Sequence, residues 1–369
     1  MNDTISIKKT GKQILVFLFF LFLIFFFLFK GKDVSQILKI AASASFPAIV
    51  AGIAMAGAFN LSEGLNLGIL LKAMGHKVSF AQGMKYAYMG FFFSSITPSS
   101  TGGQPMQLYA MKKDGIDLSH GSLALLMELA SFQAMAFLFE LFAVAMIPVL
   151  GISLPATIKI LVVAGFIMNA AFVAFLLVVI FSERMGQRIF GLVKKILPRL
   201  PFVKEETKSQ WIRKMEEGLL EFHACALLMK EHKKAIAKMC IISAGQIICW
   251  FGVPYMVYLA LGYQGSSFLH IFVLQILIYK SSSLLPLPGV VLQILIYMSS
   301  SLLPLPGAMG ISEYAFLQLF GSIYSGSSMT AAVLLSRGIS FYFLLALSGI
   351  MLLLIYGAAR QRKCNTIFS

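Results

Sequence analysis

Long apolar segments alternate with short polar ones along most of the chain. A helix needs about 20 predominantly apolar residues to cross the hydrocarbon core of a bilayer. Apolar runs lie at about 13–29, 40–60, 80–97, 121–150, 156–181, 239–261, 268–285, 311–324 and 330–357. The pattern predicts an all-α, polytopic integral membrane protein with about eight transmembrane helices, in which residues 1–369 form a single transmembrane domain.

The second apolar run contains a proline and is followed by a more polar stretch. Pro47 is expected to kink the span at 40–60. The stretch 61–77 contains Glu63, Lys72 and His76, and we interpret it as a helix end that runs into the membrane interface.

Composition excludes a soluble domain. The chain is 59% hydrophobic and 12% charged, with a mean hydropathy of +0.85, whereas soluble domains carry about 25% charged residues. The 30 basic residues against 15 acidic ones are attributed to the enrichment of Lys and Arg in cytoplasmic loops, rather than to nucleic-acid binding. The alternative for this excess is a surface that binds anionic lipid.

Flanking charges predict the orientation of the chain. Lys8, Lys9 and Lys12 precede the first apolar run, and Arg360 and Arg362 lie in the tail. Both termini are therefore predicted to be cytoplasmic.

One long polar stretch, 182–238, is predicted to be a basic cytoplasmic loop. Within it, 205–234 is predicted to form an amphipathic helix on the membrane surface. The alternative is an ordinary solvated helix.

A tandem duplication with an 18-residue period lies at 274–307. The sequence LQILIYKSSSLLPLPG at 274–289 recurs at 292–307 with one change, Lys280 against Met298. We interpret it as a recent local duplication or an error in the sequence, and expect the extra copy to enter the membrane and return on the same side.

The first interruption of an apolar segment is the sequence SSITPSSTGGQP, which begins at Ser94. Proline and paired glycines disfavour a regular helix, and broken backbone within a bilayer requires protein or water to satisfy its polar groups. Lysines at 72 and 77 precede this segment and lysines at 112 and 113 follow it. Residues 80–111 are therefore predicted to be re-entrant; the alternative is an interfacial loop.

The second interruption is SSSLLPLPGAMGISEY, which begins at Ser299. Ser312 and Glu313 suit the start of the following helix. Two hydrophobic segments interrupted by Gly and Pro, one in each half, indicate a transporter binding site, and the exposed helix N-termini could hold an anionic head group.

Ionisable residues within spans are costly and usually functional. Glu128, Glu140, Glu313 and Arg337 are the candidates. Arg337 either pairs with Glu313 or faces a lipid phosphate, which guanidinium geometry matches. Glu140 is the weaker candidate and could be only an interior contact, while Gln104 and Gln246 more often serve helix packing.

No cofactor or metal site is predicted. The four cysteines form no CxxC pair, the five histidines lack the HExxH spacing, and no Walker A motif occurs. Direct use of ATP is therefore not expected.

Together, the motifs resemble a known family. They comprise P-x-x-x-G-G at Pro98 to Gly103, an apolar helix with Glu128, P-x-P-G-x-x-G-x-x-E at Pro304 to Glu313, and Arg337 in the next helix. This order resembles the flippase-like transmembrane domain of the phosphatidylglycerol lysyltransferases, the multiple peptide resistance factors, over nearly the whole chain. Ala308 departs from the family's usual glycine.

The resemblance implies a cell-membrane protein that binds or moves lysyl-phosphatidylglycerol or a related phospholipid, with effects on surface charge and resistance to cationic antimicrobial peptides. It implies a lipid head-group site and no catalytic residues. The site residues are Thr97, Pro98, Gly102, Gly103, Gln104, Glu128, Pro304, Pro306, Gly307, Gly310, Glu313 and Arg337.

In that family, a separate soluble domain transfers lysine from lysyl-tRNA. No such domain follows the last predicted span, so this chain is not expected to catalyse the transfer by itself. Two alternatives stay open: a lipid-modifying lysyltransferase, and a membrane anchor for a separate soluble lipid-aminoacylating protein. Anionic or aminoacylated phospholipids are the expected partners, and no direct contact with nucleic acid is expected.

Overall fold

A computed structural model describes residues 33–97, 100–196, 205–282, 316, 318–321, 323–324 and 326–367. All regular elements in these ranges are helices, and the ranges contain no strand. Five helical stretches are long and apolar enough to cross a membrane: Phe46–Ala73, Leu118–Val149, Ile158–Phe181, Lys233–Ala260 and Gly326–Ile355. The chain is thus an all-α membrane protein, and the number of about eight spans stays a prediction.

The described helices follow one another with short connections. In chain order they are α1 (Val34–Ala42), α2 (Phe46–Ala73), α3 (Phe80–Ile96), α4 (Gly103–Lys113), α5 (Leu118–Val149), α6 (Ala156–Phe181), α7 (Glu183–Ile196), α8 (Glu205–Glu231), α9 (Lys233–Ala260), α10 (Phe268–Ser282), α11 (Gly326–Arg337) and α12 (Leu344–Ile367). A π-helical turn, Gly338–Phe343, joins α11 to α12. The predicted span at 13–29, the second broken segment and the second copy of the repeat lie outside the described residues.

Helix α2 differs at both ends from the predicted span at 40–60. Pro47 lies in its first turn instead of kinking it, because proline lacks only an N–H that has no helical partner there. The helix then continues through the predicted interfacial stretch to Ala73. Its 28 residues correspond to about 42 Å at the usual rise.

Helices α2 and α9 form the most extensive contact of the bundle and run antiparallel. Gly52 lies beside Met256, whose Cβ is 3.4 Å from the position of a Cβ added to the glycine. Further along, the rings of Phe59 and Trp250 are 4.4 Å apart. Small residues allow this close approach, which drives helix association in membranes.

Helices α3 and α4 form a tight antiparallel hairpin. At its open end, Lys85 Nζ is 2.6 Å from Asp114 Oδ2, and Tyr86 donates a hydrogen bond of 2.7 Å to the same oxygen. At its tip, Thr97 Oγ1 accepts a hydrogen bond of 2.9 Å from the Gly102 amide and donates one of 2.6 Å to the Phe93 carbonyl. Both ends of the hairpin are thus held by polar contacts.

Helix α8 packs against α5, α6 and α7. Ala226 and Met229 face the bundle and are buried, whereas Leu220 and Leu227 are exposed. The helix therefore has one apolar side packed on the transmembrane helices and further apolar side chains facing outward.

Candidate functional site

A layer of polar side chains separates two apolar clusters inside the bundle. Along α2, Ala56 belongs to one cluster and Leu67 to the other. The polar residues Asn60, Glu63 and Asn66 lie between them. The apolar packing of α2 is therefore interrupted over about two turns.

Helices α5 and α9 show the same interruption. On α9, Met239 belongs to one cluster and Ile247 to the other, with Ser243 and Gln246 between them. On α5, Ser131 likewise lies between residues of one cluster and residues of the other. Gln107 and Glu128 also interact with Glu63. We call the following side chains the polar layer: Asn60, Glu63, Asn66, Gln107, Glu128, Ser131, Ser243 and Gln246.

Hydrogen bonds connect three helices within the polar layer. Asn66 Nδ2 donates to Ser243 Oγ over 3.0 Å, and the hydroxyl groups of Ser131 and Ser243 are 2.8 Å apart. All three side chains are buried. They link α2, α5 and α9 by direct polar contacts in place of apolar packing.

Other polar atoms of the layer are buried without a partner. Among the described residues, Asn60 Nδ2 and Oδ1, Asn66 Oδ1 and Gln246 Oε1 make no hydrogen bond. Each unsatisfied buried group costs about 1–3 kcal/mol. Native proteins contain few buried polar groups without a partner, and each such group requires an explanation. One explanation is a polar ligand that reaches the layer.

Two carboxyl groups occupy one side of the layer. Gln107 Nε2 donates a hydrogen bond of 2.7 Å to Glu63 Oε1 and a longer one, 3.2 Å, to the Tyr86 carbonyl. Glu128 is close enough to Glu63 for the two to interact electrostatically. Within the described ranges, neither carboxyl group has a lysine or arginine nitrogen within 4.0 Å.

The α3–α4 hairpin places Gln107 in the layer. A Cβ atom at Gly90 would overlap the Gln107 amide, and one at Gly103 would lie 2.7 Å from the Gly90 carbonyl oxygen. These two glycines let α3 and α4 approach so closely that the Gln107 side chain is pressed between them. The amide therefore points toward Glu63 and not along the surface.

The structure separates the sequence-predicted site residues. Thr97, Gly102 and Gly103 hold the hairpin together, and the side chain of Gln104 is exposed on α4. Of the first predicted group, Glu128 joins the polar layer. Pro98 lies outside the described residues.

The second predicted group is described only in part. Pro304, Pro306, Gly307, Gly310 and Glu313 lie outside the described residues, so the predicted pairing of Arg337 with Glu313 is not described.

Arg337 is partly buried and directly precedes the π-helical turn. π-Helical turns occur frequently at functional sites. Here the turn contacts α2, with Ile339 Cδ1 3.2 Å from the position of a Cβ on Gly52. The ring of Phe341 also lies 6.5 Å from that of Phe91 on α3, so the turn contacts both the bundle and the hairpin.

Glu140 makes an interior contact away from the polar layer. It is 2% exposed, and its oxygens accept hydrogen bonds of 3.2 and 3.1 Å from Asn169 Nδ2. Tyr279 is close enough to interact with it electrostatically. These three residues connect α5, α6 and α10.

Sequence reasoning missed Glu63 and Gln107 as site residues. Glu63 was assigned to the interface because Lys72 and His76 follow it. The spacing of Asn60, Glu63 and Asn66, each three residues from the next, could have indicated a polar stripe along one face of a continuing helix.

The geometry defines a class: a multi-span helical membrane protein with a polar layer at the centre of its bundle. The profile of the family described as "Lysylphosphatidylglycerol synthase TM region" matches residues 13–292. The chain belongs to this family. The matched range includes the whole polar layer and ends before Arg337.

A relative of the chain is a "UPF0104 membrane protein" from Archaeoglobus fulgidus. It is 22% identical over 268 residues, which are 71% of this chain and 78% of that protein.

Proposed function

We propose that this protein is a flippase-like carrier of phospholipids in the cell membrane, which binds the head group in the polar layer. Lysyl-phosphatidylglycerol or a related phospholipid is the proposed substrate, and its movement would change the charge of the membrane surface. The description of the family supports a lipid of this type.

The observation that carries the proposal is the set of unpartnered buried amide atoms on Asn60, Asn66 and Gln246. Polar groups at bilayer depth are costly and usually functional. An amide group supplies both donors and acceptors, so these side chains can meet the phosphate and the glycerol hydroxyl of a head group.

The carboxyl pair favours an aminoacylated lipid over a plain anionic one. Glu63 and Glu128 lie together without a basic partner among the described residues. A lysyl head group brings two ammonium groups, and charge-assisted hydrogen bonds are about twice as strong as neutral ones. A head group whose only charge is a phosphate offers these carboxyl groups no cation to bind.

The α3–α4 hairpin is proposed to enter and leave the bilayer by the same face. Its two helices are antiparallel, and lysines lie outside both ends. The hairpin carries Gln107, so a shift of the hairpin would change access to the polar layer. The segment at 299–314 and Arg337 remain proposed parts of the same head-group site.

The test uses the full chain in vesicles that contain lysyl-phosphatidylglycerol. A membrane-impermeant amine reagent labels only the outer leaflet in protein-free vesicles, and translocation exposes the remaining lipid over time. Glu63→Gln and Glu128→Gln should each slow the reaction at least about tenfold, since a charged hydrogen bond contributes about 1.5–3 kcal/mol.

Glu217→Gln is the matched control, because Glu217 is exposed on α8 and the chemical change is the same. Equal labelling with and without protein would refute translocation. If Glu63→Gln and Glu128→Gln both moved lipid at the wild-type rate, the two carboxyl groups would not belong to the head-group site.

A second candidate is the membrane part of a lysyltransferase, which the family description favours. Purified protein is supplied with lysyl-tRNA and phosphatidylglycerol, and labelled lysyl lipid would establish the enzyme. Co-purification of a soluble lipid-aminoacylating protein would instead support an anchor. Translocation without either result supports the carrier alone.

A further inference from the structure

Four residues that can bind metal meet at one end of the bundle, away from the polar layer. His76 lies in the turn between α2 and α3, Asp117 and His120 lie at the start of α5, and Glu221 belongs to α8. One ligand atom from each of Asp117, His120 and Glu221 lies within 4.8 Å of the others. The fold brings these residues together from separate parts of the chain.

The distances between the ring and the carboxylate fit two ligands of one ion. His120 Nε2 and Glu221 Oε1 are 3.4 Å apart, longer than the roughly 2.7–2.9 Å of a charge-assisted hydrogen bond. Two ligands of a tetrahedral Zn²⁺ ion, each about 2.0–2.1 Å from the metal, lie about 3.3 Å apart. The separation therefore suits a shared cation better than a direct ion pair.

Neighbouring side chains orient both His120 and Glu221 by hydrogen bonds. His120 Nδ1 is 2.6 Å from His76 Nε2, and Ser119 donates a hydrogen bond to Glu221 Oε2. When Nδ1–H of His120 donates to His76, the lone pair of Nε2 is directed at Glu221. Metal-binding histidines typically use their second nitrogen in this way.

Asp117 can supply the third ligand, and the charges of the ligands would balance that of a divalent cation. Asp117 is the N-cap residue of α5, yet its side chain makes no capping hydrogen bond. Two carboxylates and neutral imidazole would neutralise a divalent cation.

We propose that Asp117, His120 and Glu221 form a site for a divalent transition metal, with Zn²⁺ the best match, and that His76 is its positioning residue. Mixed imidazole and carboxylate ligands are typical of zinc sites with an open fourth position. A cleft beside the turn is lined by His76 together with Lys72, Lys77, Ser79 and Gln82. The ion would connect α8 to α5 and, through His76, to the turn between α2 and α3.

The test titrates Zn²⁺ into the tag-free, metal-stripped full chain in detergent, in competition with a colorimetric chelator. Wild type should bind one ion per chain. His120→Gln and Glu221→Gln should bind at least about tenfold more weakly, and His76→Gln about tenfold more weakly. Bound Co²⁺ should give the visible absorption of a tetrahedral site in wild type and lose it in His120→Gln.

His232→Gln and Glu217→Gln are matched controls, since both residues are exposed and lie outside the cluster. Thermal unfolding without metal checks that each variant is folded, and Asp117→Asn replaces any variant that is not. Zn²⁺ should raise the unfolding temperature of wild type and of the controls only. No stoichiometric binding, or equal affinity in wild type and the ligand variants, overturns the proposal.

Discussion

The contact between Gly64 and Gly83 sets how closely α2 and α3 can approach. A Cβ atom at Gly83 would lie 2.5 Å from the Gly64 carbonyl oxygen and 3.3 Å from its carbonyl carbon. Both atoms belong to the backbone of another helix, so no side-chain rotation relieves the overlap. Gly83→Ala must therefore push the two helices apart.

The expected cost follows from a comparison with Gly68→Ala. Gly68 lies one turn from Gly64 on α2, and a Cβ there would meet no atom within 4 Å. Both substitutions carry the same intrinsic helix gain of about 0.5–1 kcal/mol. The difference between them isolates the steric term, which is about 1–3 kcal/mol for an overpacked contact.

The difference in the free energy of unfolding is measured by a mixed detergent titration, in which circular dichroism monitors unfolding. Gly83→Ala should unfold at a lower denaturant fraction than wild type, and Gly68→Ala at the same or a higher one. The displacement should also slow lipid movement, because α3 carries Gly90 and Tyr86, which hold the Gln107 side chain. Equal stability of the two alanine variants would refute the close packing of α2 on α3.

Four other substitutions test three separate contacts. Gly90→Ala should move the Gln107 side chain away from the layer and slow lipid movement at least as much as Glu63→Gln does in the vesicle assay, whereas Gly68→Ala should not. Ser243→Ala should lower the free energy of unfolding by about 1–3 kcal/mol in the detergent titration, because it removes the hydroxyl that bonds Asn66. Lys85→Met and Asp114→Asn should show a coupling energy of about 0.5–3 kcal/mol in a double-mutant cycle, and additive effects would show that this ion pair does not hold the hairpin.

The long apolar helices could be predicted from the sequence because their runs are uninterrupted. Predicted spans at 121–150 and 156–181 correspond to Leu118–Val149 and Ala156–Phe181, with a glycine in the left-handed region, Gly151, in the turn between them. The start of α2 differs from the predicted one because Pro47 is interpreted from the sequence as a kink within the span at 40–60, whereas it lies in the first turn of the helix. Serine followed by proline is equally typical of a helix beginning.

The polar layer could not be predicted, because tertiary contacts define it. Glu63 and Gln107 lie 44 positions apart, and Asn66 and Ser243 lie 177 apart. Gln107 and Ser243 each look like an isolated polar residue in the sequence, and the spacing of Glu63 and Asn66 indicates at most a polar face on α2, without its partners. Only the antiparallel packing of α2 against α9, and of α3 against α4, brings them to one depth. Glu128 was predicted because a carboxylate in an apolar run is unusual by itself.

Asn60 distinguishes a structural role of the polar layer from a functional one. Its amide nitrogen and oxygen are buried without partners among the described residues, which costs about 1–3 kcal/mol per unsatisfied group. Leucine has a similar size and removes both groups, so Asn60→Leu should raise the free energy of unfolding. If the amide binds the head group, the same variant should move lipid more slowly than wild type.

Gln275→Leu is the matched comparison, since the unpartnered Oε1 of Gln275 lies on α10, outside the layer. This variant should gain stability without losing transport. A loss of stability in Asn60→Leu would show that the amide serves the fold, and the assignment of the head group to this layer would then fail.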